Sequence, residues 1–214
     1  MLLAAWLLYF TLHSVLASLW LKHRVAARWP YLMPAYRLGF NLLALVGLVP
    51  PLWLTFSLPG PRLWAWTGAA AWIANGLALA ALAGFLWSLR WYDGAEFLGL
   101  RQWRASERRV EDQERLHISP LHRFVRHPWY SLGLVLVWTR DMNPGLLLSS
   151  LAITGYFLLG SRLEERKLIV YYGDRYRHYR SRVPALIPLP WRHLSRAEAR
   201  ELIAEELNSG RGTW

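Results

Sequence analysis

Three stretches of this chain are almost purely apolar over the length needed to cross a bilayer: Met1 to Leu21, Leu38 to Leu58 and Leu63 to Leu89. A hydrocarbon core about 30 Å thick calls for about 20 such residues in a helix. Lipid offers no hydrogen-bond partners, so each backbone N–H and C=O must be paired within the stretch, which dictates helices. Leu63–Leu89 exceeds the minimum and is expected to tilt. Trp129–Thr139 is too short to cross alone as a straight helix. Pro144–Gly160 follows it after a tight turn at Arg140–Asn143, and the two read as a helical hairpin. Met1–Leu21 has no basic n-region and no A-x-A cleavage site, so it is read as a span and not as a signal peptide. The expected fold is all-α: a polytopic membrane helical bundle of about five transmembrane helices.

The charges give an orientation. Of 25 Lys and Arg, 23 fall in three segments, 22–37, 90–126 and 162–214; only Arg62 and Arg140 lie in the alternate loops. By the positive-inside rule the three basic segments are cytoplasmic, with the N-terminus outside and the C-terminus inside. Five spans satisfy this, and so do three spans with a hairpin that dips in and returns. A net charge of +11 also suits nucleic acid, but no nucleic-acid motif is present, and the apolar runs point to membrane lipid. With no cysteine and no HExxH-like spacing, neither a metal site nor a thiol nucleophile is expected. In the third run Gly76, Ala80 and Gly84 form a small-residue stripe, which either admits a neighbouring helix closely or reflects loose Ala-rich packing.

Chemistry is sought where a wet segment meets a greasy one, at "RHPWYSLG", Arg126 to Gly133. Pro128 suits the first position of a helix, where its missing N–H costs nothing. The helix N-terminus is anion-friendly, and Arg126 and His127 stand beside it. Either they anchor a helix end among headgroups, or they form an anion-binding corner. A returning hairpin brings Glu164 and Glu165 near them, either as a solvated face salt-bridged to Arg166 and Lys167 or as the carboxylates that hold the ammonium of a zwitterion whose own carboxylate sits at the helix N-terminus. Further on, Gly173 can cap a helix, Val183-Pro184 breaks the pattern, and Ser195 with Glu198 is placed as a capping box for a short amphipathic helix that ends at Asn208-Ser209-Gly210. His13 lies midway in the first run with Tyr9 one turn earlier. An ionisable residue inside a span is either functional or a neutral His bonded to another helix.

"RFVRHPWYSLG" followed by "LEERKLIVYYGDRYRHYRSRVPALIP" resembles the C-terminal signature of the integral-membrane methyltransferases related to isoprenylcysteine carboxyl methyltransferase and phosphatidylethanolamine N-methyltransferase. The likeness covers residues 117–188. "LHSVLAS" in the first run, "AEFLGLRQ" at 95–102 and "RDMNPGLLL" are similar to the bacterial methanethiol S-methyltransferase branch. Ser119-Pro120-Leu121-His122 departs from the Gly-Pro-Tyr that many relatives carry there.

The resemblance implies S-adenosylmethionine as cofactor, held in a cytoplasmic pocket made by the last two spans. Carried over by position, its contacts are His117, Leu121, Arg126, His127, Pro128, Tyr130, Gly133, Glu164, Glu165 and Tyr172, with Tyr176 and Tyr179 lining the same face. His13, Tyr9 and Glu165 are the expected catalytic residues. The implied reaction is methyl transfer to a small hydrophobic acceptor, a thiol first. A phospholipid amine or a carboxylate is the alternative; an NADPH-dependent sterol-type reductase or a non-enzymatic membrane protein is the reading from another class. The corresponding division is 1–89 for three N-terminal spans, 90–127 for a cytoplasmic connection, 128–188 for the hairpin and cofactor region and 189–214 for a tail. The expected location is the bacterial inner membrane.

Overall fold

The structure is a computed structural model and describes residues 1–58, 60–108, 110 and 118–209. His117 and Gly210, both singled out above, lie outside the described residues. Within these the regular elements are helices: α1 (Leu2–Ala17), α2 (Leu19–Arg28), α3 (Met33–Ser57), α4 (Gly68–Ser88), α5 (Gly94–Leu98), α6 (Leu100–Arg104), α7 (Pro128–Trp138), α8 (Pro144–Arg182) and α9 (Arg196–Ser209). Those around α3, α4 and α8 are long and apolar enough to cross a membrane, and α1 with α2 makes a fourth candidate if the bent pair is one span. Only 11% of the apolar window of α3 and of α4 is buried against protein, so their Leu, Val and Trp side chains face outward, as lipid requires. This is an all-α membrane helical fold. At 11 residues, α7 reaches only about 16 Å, roughly half the hydrocarbon thickness.

The chain packs as two units interleaved in sequence. One comprises Met1–Ala74, Leu89–Gln113 and Arg140–Ile153; the other comprises Asn75–Ser88, Glu114–Thr139 and Thr154–Trp214.

In the first unit, α1 stops at Ser18. Its hydroxyl donates to the Val15 carbonyl (2.6 Å) and accepts from the Leu21 amide (3.3 Å), capping α2. These local bonds replace the helical ones, and the run read as one span, Met1–Leu21, bends by 57° where α1 gives way to α2. Trp6 is buried between α1 and its neighbours; its Nε1 donates to Ser149 Oγ (2.8 Å), which shares a hydrogen bond with Thr55 Oγ1 (2.6 Å). Thr55 in turn donates to the Pro51 carbonyl (2.7 Å), so one chain of hydroxyls links α1, the start of α8 and the proline pair inside α3. The "RDMNPG" motif is the turn that holds this corner. Asp141 Oδ1 accepts from the Trp66 amide (3.0 Å), Met142 pairs with Trp64, and Asn143 Oδ1 caps α8 at Leu146 (2.8 Å). The "AEFLGLRQ" motif is α5, Gly99 and α6. Asp93 caps α5, and the Phe97 carbonyl accepts from Arg37 (3.1 Å) and Asn41 (3.0 Å) of α3.

In the second unit, Trp129 Nε1 donates to Ser88 Oγ (2.8 Å), and a Cβ on Gly84 would stand 3.2 Å from Leu132. The small-residue stripe thus admits α7 at Gly84, whereas a Cβ on Gly76 would meet nothing within 4 Å. The hairpin forms as expected: Trp138 Nε1 donates to Thr154 Oγ1 (3.0 Å) across α7 and α8. Gly173 does not end α8. It adopts φ 55°, ψ −130°, and the helix resumes to Arg182 before Val183-Pro184 stops it. The resumed segment buries Tyr176, Tyr179 and Val183 against Ile118, Leu194, Ala199 and Leu202, and this core is what continues the helix past the glycine. The Ser195–Glu198 box closes in both directions, at 3.2 and 2.7 Å.

Gly99 adopts φ +88°, and a Cβ there would lie 2.8 Å from Arg37 Cβ and 2.9 Å from the Leu38 amide nitrogen. Gly99→Ala is expected to destabilise the protein by about 1–3 kcal/mol through the left-handed backbone and the clash together. Gly76→Ala has open space inside α4 and is expected to keep or raise the midpoint of thermal unfolding in detergent. Equal midpoints for the two variants would contradict this account.

Candidate functional site

The segment before α7 is fastened to the segment after α8. The Arg126 amide donates to the Pro184 carbonyl (2.9 Å) and the His127 amide to that of Ala185 (3.1 Å). The side chain of Arg126 completes the joint. Its Nε and Nη2 both reach Glu165 Oε1 at 2.7 Å, and its Nη1 donates to the carbonyls of Arg180 (2.9 Å) and Val183. Those are end-of-helix carbonyls without a helical donor, a common task for an arginine. Arg126 and Glu165 are 10% and 9% exposed, so the pair is buried and engaged in structure.

His127 caps α7 ahead of Pro128 and is buried. Glu164 and Glu165 straddle its ring: Nδ1 is 3.4 Å from Glu164 Oε2, and Nε2 is 3.2 Å from Glu165 Oε1. With a proton on each nitrogen, the ring would donate to both carboxylates, so this setting favours the imidazolium. Burial alone would lower the affinity of His127 for its second proton, but the hydrogen bonds and charges of Glu164 and Glu165 outweigh it and hold the group above its ordinary value. Glu164 is half exposed and presents a carboxylate to the surroundings. The ring of Tyr130 stacks on His127 (5.5 Å, 12°) and on Phe157 (4.6 Å, 7°). A Cβ on Gly133 would lie 3.0 Å from Phe157, so this glycine makes room for the ladder.

Of the residues expected from sequence, Arg126, His127, Pro128, Tyr130, Gly133, Glu164 and Glu165 come together here. Leu121 sits in a short turn of 3-10 helix at 121–123. Tyr172 lies about two turns further along α8, in a groove of about 600 Å³ with Asp174, Arg175, His178, Glu198, Glu201 and Leu202. Tyr176 and Tyr179 do not line a face: both are buried in the core, and the Tyr179 hydroxyl donates to the His122 carbonyl (2.6 Å). In the first unit, Tyr9 and His13 are neighbours (5.9 Å between rings); Tyr9 covers Gly47 and His13 faces Phe40 (5.1 Å). Phe157 was not anticipated. Its position seven residues before Glu164 places both on one face of α8, and that spacing is readable in the sequence.

Two outcomes follow from this geometry. Arg126→Ala strands a buried carboxylate and is expected to cost about 3–5 kcal/mol of stability, read from denaturant or thermal unfolding. The His127 contribution is fully present below the ordinary imidazole value of 6.5 and is lost as pH rises through the higher value of the folded state. Stability relative to His127→Gln should therefore fall as pH is raised above that point. A difference that stays flat with pH would mean that His127 is neutral.

No protein-family model matches the chain, and no solved structure does. Curated proteins do. The chain is 35% identical over 179 residues to methanethiol S-methyltransferase 2 of Bradyrhizobium diazoefficiens, covering 78% of this chain and 68% of that protein. It is 31% identical over 204 residues to the methanethiol S-methyltransferase of Pseudomonas deceptionensis, covering 86% and 75%. With the enzyme of that name from Mycobacterium tuberculosis it shares 38% identity over 125 residues, half of each chain. A shared identity of this size along most of two full relatives places the chain in the methanethiol S-methyltransferase family.

Proposed function

We propose that this protein transfers the methyl group of S-adenosylmethionine to a small hydrophobic thiol at the surface of the bacterial inner membrane. The observation that carries this reading is the half-exposed Glu164 carboxylate beside the stacked rings of His127, Tyr130 and Phe157, in a member of that family. The exposed side of this carboxylate suits a cationic group, whether sulfonium or ammonium. The groove around Tyr172 offers both signs of charge, and its 600 Å³ lies within the usual range of about 300–1,000 Å³ for small-molecule sites. These residues fit the cofactor.

S-adenosylmethionine, when bound, supplies an electrophilic methyl group on a sulfonium sulfur. The chain's own part is to bind, orient and exclude water, which is most of what an in-line displacement needs. Arg126 and Glu165 fix the backbone on which His127 and Glu164 stand, so the carboxylate is held in place before any ligand arrives. A thiol reacts as thiolate, so its proton must leave. His13, with Tyr9 beside it, is the base the sequence offers for that proton, and its substitution tests the assignment. The thioether, S-adenosylhomocysteine and one proton are the products. The 23-to-2 division of Lys and Arg supports a cytoplasmic face for 90–126 and 162–214.

Binding of S-adenosylhomocysteine and methyl transfer to methanethiol, longer thiols, phosphatidylethanolamine and a prenylated cysteine test the reading directly. Glu164→Gln is expected to weaken S-adenosylhomocysteine more than tenfold, roughly 2 kcal/mol or above, while the protein stays folded with a midpoint lowered only by the loss of one charged partner of His127. Turnover of the lipid amine without any thiol would replace the acceptor; thiol turnover unaffected by His13→Ala would remove His13 from it. The chain has no cysteine, so single cysteines report topology cleanly. Ser181→Cys is expected to label only from the cytoplasm and Ser57→Cys only from the opposite side, and the reverse pattern would invert the orientation.

A further inference from the structure

Residues Pro184–Leu194, "PALIPLPWRHL", form a loop whose two ends are fixed to one short segment. At its start, Pro184 and Ala185 accept from the amides of Arg126 and His127. At its end, the Leu194 amide donates to the Arg123 carbonyl (3.0 Å) and the Leu194 carbonyl accepts from Arg123 Nε (3.0 Å). This is a closed surface loop of the Ω kind. Its tip is a turn from Leu189 to Arg192, closed by the Arg192 amide on the Leu189 carbonyl (2.9 Å), and it lifts Pro190 and Trp191 outward. Ile187 is 72% exposed and Trp191 76% exposed. Beside the loop, Phe124 is 44% exposed and lies between the His193 ring (5.8 Å) and the Arg123 guanidinium (5.4 Å).

The same unit shows where the loop sits relative to lipid. Ser88 is the last residue of α4 and lies within one turn of the end of the candidate span Gly68–Trp91, and it accepts from Trp129 in the first turn of α7. The end of a span and the start of α7 are therefore level, and the loop is bonded to His127, the residue that caps α7. That is the headgroup level, where Trp is favoured. The loop's ionisable residues are Arg192 and His193, with no acid among its eleven, so an anionic surface does not repel it. Three prolines hold its backbone, which lowers the entropy lost on insertion.

We infer that Pro184–Leu194 is a preformed membrane insert: Ile187 and Trp191 enter the boundary between headgroups and acyl chains of the leaflet at which α7 begins, and Arg192 and Arg123 meet anionic headgroups. The partner is the lipid surface and not another polypeptide. This inference rests on the membrane character of the chain and is independent of the methyl-transfer reading.

Spin labels on Ile187→Cys, Trp191→Cys and Asp174→Cys, each in the otherwise cysteine-free full chain in vesicles of phosphatidylethanolamine and phosphatidylglycerol, give the test. At positions 187 and 191, collision with oxygen should exceed collision with a water-soluble nickel chelate, and chelate access should be several-fold below that at Asp174, which is 96% exposed. Replacing phosphatidylglycerol by phosphatidylcholine should raise chelate access at 191. Chelate access at 187 and 191 equal to that at Asp174 in both lipids overturns the inference. Chelate protection together with dipolar broadening between labels at high lipid dilution also overturns it, because a second copy of the chain would then cover the loop.

Discussion

The guanidinium of Arg126 makes contacts in two directions at once. It neutralises Glu165 on one flank and terminates the resumed part of α8 on the other, through the carbonyls of Arg180 and Val183. A lysine could not do this, because a point charge on a flexible stem cannot present a planar fork to a carboxylate while also serving two carbonyls. Everything around the histidine follows from that joint. With Glu165 fixed, the next residue back, Glu164, projects beside the imidazole; with the main chain of 126–127 bonded to 184–185, α7 begins at a defined place. The pair is buried, and buried ion pairs are seldom chosen for stability alone. Here it sets the register between two stretches far apart in sequence.

Much of this was legible in the residues. The apolar runs announced the spans, because lipid tolerates little else. Pro128 marked the start of α7, Val183-Pro184 the end of α8, and the Ser195–Glu198 spacing the start of α9. The basic corner and the acidic pair were expected to meet across a hairpin, and they do. What sequence did not convey is how completely they satisfy one another. A motif gives residue types; it does not tell that Arg126 is spent on carbonyl groups, which appear in no side-chain pattern. Glu164, with its partial exposure, is left as the carboxylate a ligand can reach.

Other differences have the same root. Ser18 reads as one polar residue in a greasy run, yet two hydrogen bonds made by its hydroxyl are enough to turn the chain by 57°. Gly173 reads as a stop, yet tertiary burial of Tyr176, Tyr179 and Val183 outweighs the local preference and the helix resumes. Those tyrosines read as a polar face because Tyr is at home at interfaces, but each carries more apolar area than polar, and with the Tyr179 hydroxyl paired to a carbonyl the ring can be fully enclosed.

The proline pair in α3 has a mechanical consequence. Neither Pro50 nor Pro51 has an N–H to give, so the carbonyls one turn earlier, on Val46 and Gly47, receive no helical hydrogen bond. A helix resists bending largely by the bonds on its stretched side, and at this height α3 is missing two successive ones. It is therefore the compliant point of that helix. Tyr9 rests against Gly47, 3.4 Å from where a Cβ would stand, and His13 lies beside Tyr9. The two missing bonds and the contact of Tyr9 with Gly47 fall at the same height of α3, so the weakest turn of that helix is the one that faces the polar rings of α1.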